Sequence, residues 1–240
     1  MSGVLDNTQV VILGGTSGIG LATASAALGE GAEVTITGRD PERLSTACKA
    51  LDNKANGVQL DAGDETGSKQ LLSGFESIDH LFITVGALVL DAQLEPSTET
   101  LRPALDTRFW SALYAAKYAA PKMHAGSSIT FMSGTAGRRP LPGAAVATAS
   151  CGAVDAFARA LVLDLAPIRV NTISPGYVDT PLFDGLLGEN RDAVLADAAA
   201  SLPVKRIGKP EDIAHAVLFL MTNGYVNGIN LAVDGGGLLI

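Results

Sequence analysis

The stretch Val10–Ala24, "VVILGGTSGIGLATA", decides how this chain is read. An apolar run passes directly into a glycine-rich turn, and the turn passes directly into small, helix-compatible residues. Gly14, Gly18 and Gly20 stand at G-x-x-x-G-x-G spacing. Between a strand and a helix, such a turn brings free backbone N–H groups and the positive end of the helix dipole together, which favours an anion. Its glycines let backbone approach a pyrophosphate closely. The same cluster would also serve as a tight structural turn, so its meaning rests on what surrounds it.

Outward from that turn, short β-branched runs alternate with longer helical patterns. "QVVIL" (9–13), "EVTIT" (33–37), "GVQL" (57–60), "LFITV" (81–85), "SITFM" (128–132), "RVNTI" (169–173) and "NLAV" (230–233) are predicted strands, apolar on both faces as buried parallel strands are. Helices are predicted at about 18–29, 41–51, 65–75, 97–123, 143–165 and 211–222. This alternation predicts the α/β class: βαβ units with right-handed crossovers in a doubly wound, Rossmann-type sheet with helices on both faces. The glycine turn follows the first strand, which favours the nucleotide reading over the bare turn. No repeat, low-complexity tract or linker interrupts residues 1–240, so one domain is expected. Residues 180–208 pattern weakly as helix and hold no strand; they are expected to form an inserted lid or substrate loop.

Composition narrows the functions. Apolar residues make up 47% and charged residues 18% of the 240, enough for a large core. The net charge of −8 argues against nucleic acid or an anionic membrane as partner. Two cysteines, Cys48 and Cys151, make no disulfide framework, and a cytoplasmic location fits them. "MSGVLDNTQVVILGG" has no basic region and no long apolar core of a signal peptide. The run "LFITVGALVL" is too short to span a bilayer. His80, His124 and His215 stand far apart without ligand spacing, so no metal site is expected.

The end of the second strand, "TITGRDPERL", bears on the choice of nicotinamide cofactor. NAD sites place an acid there for the ribose 2′-OH. Here Gly38 is followed by Arg39, and Asp40-Pro41 reads as N-cap and N1 of the next helix. Arg39 is then free to pair with a 2′-phosphate, and NADP(H) is expected in preference to NAD(H). The plainer reading of Arg39 is a solvated loop residue.

Together these residues resemble the classical short-chain dehydrogenase/reductase family, and the resemblance covers the whole chain. "GGTSGIG" is similar to the family's cofactor turn, which implicates Gly14, Thr16, Ser17, Gly18, Ile19 and Gly20. "LDAGD" resembles its adenine-contacting motif, with Asp61 and Ala62 in place. "NTISPGYVDTPL" resembles the segment after the sixth strand, where Pro175, Gly176, Val178 and Thr180 would hold the nicotinamide carboxamide. "PVKRIGKPEDIAHAVLFL" and "NGINLAVDGG" resemble the C-terminal helix and last strand. The resemblance implies a seven-stranded parallel sheet and a homo-tetramer or homo-dimer built through the two long central helices.

It also implies chemistry that this chain lacks. The family uses a Tyr as general acid/base, a Ser to orient the substrate oxygen, a Lys to lower the Tyr pKa and hold the ribose, and an Asn in a water relay. Without gaps, "AVATASCGAV" (145–154) puts Ala147 at the Tyr position and Cys151 at the Lys position, with Ala149, Ser150, Ala153 and Val154 fixing the register. The Ser falls on Gly134, with Ser133 one residue early, and the Asn falls on Arg108. Of the family's Asn-Asn-Ala-Gly after the fourth strand only Gly86 is kept. Alanine moves no proton, and a thiol supplies no fixed positive charge. General acid–base help is worth about 10²–10⁴-fold.

Ser133, Thr135, Thr148, Cys151 and Tyr177 could line the same cleft. Ser133 either turns toward an oxyanion or faces core or solvent. Cys151 is either a reactive thiol or, with no activating base in view, an apolar filler. Arg108 either anchors a substrate carboxylate or pairs with an acid such as Asp106. Arg138 and Arg139 read as a solvated pair, and Tyr114, Lys117 and Tyr118 as a helix–helix contact. Two functions stand at this point: an NADP(H)-binding member with a degenerate active site, and an NAD(P)H-dependent oxidoreductase acting on a carbonyl or alcohol with an unconventional acid/base. A structural protein without ligand is the third.

Overall fold

Strands form where both faces of an apolar run are covered, and the alternation of the first run shows how. Val10 and Ile12 enter one apolar cluster, with Val34, Ile36, Ala24 and Val217, while Val11 and Leu13 enter a second, with Leu81, Ile83, Ala115 and Val154. The computed structural model describes residues 3–86 and 95–240. Residues 1–2 and 87–94, and with them the end of the apolar run that begins at Leu81, lie outside the described part.

Seven strands, β1 (Gln9–Leu13), β2 (Glu33–Gly38), β3 (Asn56–Gln59), β4 (His80–Ile83), β5 (Ser128–Met132), β6 (Arg169–Pro175) and β7 (Asn230–Val233), make one sheet in the order β3-β2-β1-β4-β5-β6-β7. All pairings are parallel, and Ile12 stands beside Ile36 and Phe82. The strand order reverses at β1 and β4, so the crossovers leave in opposite directions and open a crevice at the strands' C-terminal ends.

Helices α1 (Gly18–Gly29), α2 (Pro41–Ala50) and α9 (Pro210–Thr222) cover the first cluster. The second is covered by α3 (Glu65–Ser73), α5 (Ser111–Ala119) and α6 (Ala145–Asp164). The inner face of α5 is Ala112, Ala115, Ala116 and Ala119, all buried, so its backbone lies close to the sheet. Lys117 and Tyr118 of α5 both donate to Glu65 of α3, at 2.8 and 2.7 Å, the helix–helix contact expected of them. This is the doubly wound α/β architecture.

Two stretches go beyond the sequence reading. The helix expected over 97–123 is α4 (Thr98–Leu105), a π-helical turn (Asp106–Trp110), α5, and a 3₁₀ turn (Ala120–Lys122). Pro103, inside α4, supplies no backbone N–H to the ladder there. Residues 180–208, weakly helical in pattern, hold two helices, α7 (Pro181–Leu187) and α8 (Arg191–Ser201), and a 3₁₀ turn between them. Helix α8 is alanine-rich and buries Leu195 alone, so propensity rather than an apolar stripe forms it. Helix α6 is, among the described residues, long and apolar enough by composition to cross a membrane; here it is the crossover between β5 and β6.

A buried histidine makes stability depend on pH. His80, on β4, is buried, and its Nδ1 lies 3.0 Å from Ser128 Oγ. Burial pulls its pKa down to about 4 from 6.5. The unfolded chain therefore binds the proton first, and stability falls as pH drops from about 6.5 toward 4. His124, beside Asp79 at 2.9 Å, is shifted up by the Ala125 carbonyl and that carboxylate, so its smaller, solvent-screened effect has the opposite sign. Urea unfolding at pH 7 and pH 4.5 should show a loss of about 2–3 kcal/mol at the lower pH from this one group. His80→Gln should flatten that interval, and an unchanged pH profile in the variant would refute the assignment.

Candidate functional site

The glycine turn is held where strand end and helix start nearly touch. A Cβ built at Gly20 would lie 2.1 Å from the Gly14 carbonyl oxygen, and one at Gly15 would lie 2.6 Å from Ile36 Cβ. Gly14 and Gly18 have φ of 95° and 50°, which side chains disfavour. Gly15 N donates to the Thr37 carbonyl at 3.0 Å, and Thr84 Oγ1 donates to the Gly14 carbonyl at 2.9 Å, so β2 and β4 grip the turn from both sides. Ser17, the N-cap of α1, makes no side-chain cap bond. Ser17 thus caps none of the first N–H groups of α1, which open beside the close glycine contacts of the turn. That arrangement suits a pyrophosphate.

At the adjacent strand end, Asp40 Oδ1 accepts from Glu42 N at 2.8 Å and Arg43 N at 3.1 Å. Those backbone bonds, Arg43's first, hold its pKa down. It is the N-cap of α2, as expected. Arg39 is exposed, its carbonyl accepts from Gln59 Nε2 at 3.1 Å, and its guanidinium has no partner among the described residues. Asp61 Oδ1 accepts from Gly63 N at 2.9 Å, and Ala62 is buried beside it.

From β1 across to β6 the remaining residues form a ring of contacts. Gly86, just past β4, faces the Arg108 guanidinium, with 3.0 Å from a built Cβ to Cζ. Arg108 Nη1 donates to the carbonyls of Met132 and Ser133 at 3.3 and 3.2 Å, at the end of β5. A Cβ at Gly134 would meet Cys151 Sγ at 3.3 Å and no other side chain within 4 Å. Thr135 Oγ1 donates to the Pro175 carbonyl at 3.3 Å, which ties this loop to β6. Beyond Pro175, Gly176 lies against Asp234, Val178 bridges to Gly208, and Thr180 comes within 3.2 Å of a Cβ built at Gly18. The ring closes there.

Helix α6 faces this ring with its smallest residues. Ala147 and Cys151 are buried, one turn apart on one face. Ser133 is buried, and its Oγ points at the Cys151 carbonyl at 3.5 Å. Arg108 does not pair with Asp106: no ion pair of Arg108 occurs among the described residues. Thr148 Oγ1 is buried without a hydrogen-bond partner. Tyr177 stacks on Phe183, centroids 6.0 Å apart, and is half-buried. Arg138 and Arg139 are exposed, and Arg139 donates to the Gly237 carbonyl at 2.7 Å. Among the described residues no group of His, Cys, Asp and Glu could hold a metal ion. A surface hollow lined by Gln9, Glu33 and Lys54 lies at the opposite, N-terminal end of the strands and contains none of these residues.

One residue escaped the sequence reading. Asp155, one turn beyond Cys151 on the same face, is 6% exposed, and its Oδ1 has no hydrogen-bond partner. Its Oδ2 would lie 3.3 Å from a Cβ at Gly137. The spacing 147-151-155 carried the signal, since a carboxylate on the buried stripe of an otherwise small-residue face is out of pattern.

Residues 14–237 match the family model described as enoyl-(acyl carrier protein) reductase. The short-chain dehydrogenase/reductase ucsE of an Acremonium species is 34% identical over 255 residues, covering 98% of this chain and 97% of its own. The MalC reductase/Diels-Alderase of Malbranchea aurantiaca superposes with a TM-score of 0.91 at 31% identity, over 99% of this chain and 98% of that one. A small-chain dehydrogenase in complex with NADPH superposes with a TM-score of 0.84 at 34% identity, over 98% and 100% of the two chains. With the parallel sheet and the glycine cradle at its strand ends, these matches establish that the chain belongs to the short-chain dehydrogenase/reductase family.

Proposed function

We propose that this protein binds NADP(H), in preference to NAD(H), across the C-terminal ends of its strands, and that its active site is degenerate by the standard mechanism of its family. In this reading Gly14, Thr16, Ser17, Gly18, Ile19 and Gly20 hold the pyrophosphate and Arg39 the 2′-phosphate. Asp61 and Ala62 meet the adenine, and Gly86, Pro175, Gly176, Val178 and Thr180 surround the nicotinamide. When bound, the cofactor supplies or accepts a hydride. The NADPH complex of a similar dehydrogenase and the unpaired guanidinium of Arg39 support the cofactor preference. Residues 1–240 act as one domain in this reading, with 180–208 as the lid.

The observation that carries the degenerate reading is the bare face of α6. Ala147 and Cys151 are buried where a proton donor and its cation would stand, and Gly134 offers no hydroxyl. Hydride transfer by proximity alone would be slow. A second reading, an NAD(P)H-dependent oxidoreductase of a carbonyl or alcohol with an unconventional acid/base, is favoured by Arg108 and Asp155. Both are buried on this side of the sheet with unpartnered polar atoms. The free cysteines Cys48 and Cys151 fit a reducing compartment.

Calorimetric titration should show NADPH binding more tightly than NADH. Arg39→Ala should cost NADPH about 1.5–3 kcal/mol and leave NADH unchanged. Equal affinities for the two cofactors would remove the preference.

Self-association through α4, α5 and α6 is expected, because Leu105, Trp110 and Leu163 expose apolar side chains there. Light scattering at micromolar concentration should give a dimer or tetramer, and a mass of 24.5 kDa would refute it.

Restoring the missing groups tests the degenerate reading. The combined variant Gly134→Ser, Ala147→Tyr, Cys151→Lys should reduce a reactive diketone with NADPH faster than the parent, while each change alone does little, because such groups act as a unit. Arg108→Asn belongs in a further variant, since a second cation would lower the lysine's proton affinity. A parent that already turns over such substrates quickly would overturn the degenerate reading in favour of the second.

A further inference from the structure

The π-helical turn Asp106–Trp110 carries Arg108 inward, and the residue is 8% exposed. Only one of its nitrogens is fully engaged. Nη1 holds the Met132 and Ser133 carbonyls at the end of β5. Nε is buried with no hydrogen-bond partner, and Nη2 makes no hydrogen bond to a described residue. No carboxylate among the described residues lies within ion-pair distance. A buried guanidinium that meets no carboxylate among the described residues is costly to keep, and such a group is retained where a partner repays the desolvation.

The geometry also fixes the shape of that partner. A Cβ built at Gly86 would lie 3.0 Å from Arg108 Cζ, 3.1 Å from Nη2 and 3.3 Å from Nε. Three near-equal distances, with Cζ the shortest, mean that Gly86 covers the flat face of the guanidinium. The in-plane Nε–Nη2 edge stays clear of it. That edge is a two-donor fork matched to the two oxygens of a carboxylate. A cofactor pyrophosphate has its own cradle in the glycine turn after β1, two strands along the sheet from the end of β5 where Arg108 is anchored.

We propose that Arg108 determines substrate specificity: its Nε–Nη2 edge binds the carboxylate of an acidic substrate and sets that substrate beside the nicotinamide. The substrate class is a carboxylic acid carrying a carbonyl or hydroxyl group. The word "beside" rests on the cofactor reading above; the carboxylate contact itself does not. Glycine at 86, in this account, lets the guanidinium lie flat against the backbone, where a Cβ would press it by a few tenths of an ångström.

The test titrates acetate, acetoacetate and benzoate, each against its methyl ester, into the full-length protein with and without saturating NADP⁺. At least one acid should bind about 10-fold or more tightly than its ester, the worth of a charge-assisted pair. Arg108→Gln should abolish that preference, and Arg108→Lys, which keeps the charge but loses the fork, should retain only part of it. NADPH fluorescence and thermal unfolding report whether each variant is folded. If neither variant folds, the acid–ester ratio of the parent decides alone. No acid preferred over its ester in the parent, or an undiminished preference in a folded Arg108→Gln, overturns the proposal. NADP⁺ binding without acid preference removes the role of Arg108 only. Acid preference without NADP⁺ binding keeps that role and removes the cofactor reading.

Discussion

Backbone must meet backbone between β1 and α1, and the rest of the site follows from that contact. With the Gly14 carbonyl 2.1 Å from where a Gly20 Cβ would be, any other residue at 20 would push the helix off the strand end. The helix would then lose its place over Ile36 and against α9, and its N–H groups would no longer lie above the crevice. Neighbouring strands depend on the same approach: Thr37 and Thr84 reach the turn only because it stays within hydrogen-bond distance of both. A parallel sheet places all its C-terminal ends on one edge, so a single tight joint orders residues from seven strands.

Most of this was legible in the sequence because it depends on local pattern. Strands buried on both faces show as unbroken apolar runs, and Asp40-Pro41 shows as a cap by residue type. The failures have physical causes. Helix α8 showed only weakly because alanine propensity leaves no stripe. The direction of Arg108 escaped because a π turn breaks the 3.6-residue phase on which face assignments rest. Ser133 stood undecided because one residue along a strand end reverses the face, and sequence does not reveal whether a bulge intervenes. Asp155 was visible at i+4 from Cys151, but the small residues before it drew attention to what was missing rather than to what was present.

A guanidinium and a thiol meet at the end of β5. In the family the resemblance points to, a lysine on α6 carries the cation of the site. Here position 151 is a thiol facing Gly134, and a guanidinium reaches the Met132 and Ser133 carbonyls from the opposite helix. A lysine placed beside that guanidinium would be repelled and would bind its own proton less tightly. A thiol at 151 brings no second fixed cation, and Gly86 and Gly134 lie against the two side chains.

The π turn between α4 and α5 also acts as a phase shifter. One extra residue advances an α-helix by about 100°, so the surface that α4 presents and the surface that α5 presents are independently set although the chain runs through both without a loop. The alanine face of α5 keeps its seat on the sheet whatever happens upstream. Within this scaffold, adding or removing a single residue at the turn would rotate residue 108 between interior and surface while the seven strands stayed as they are.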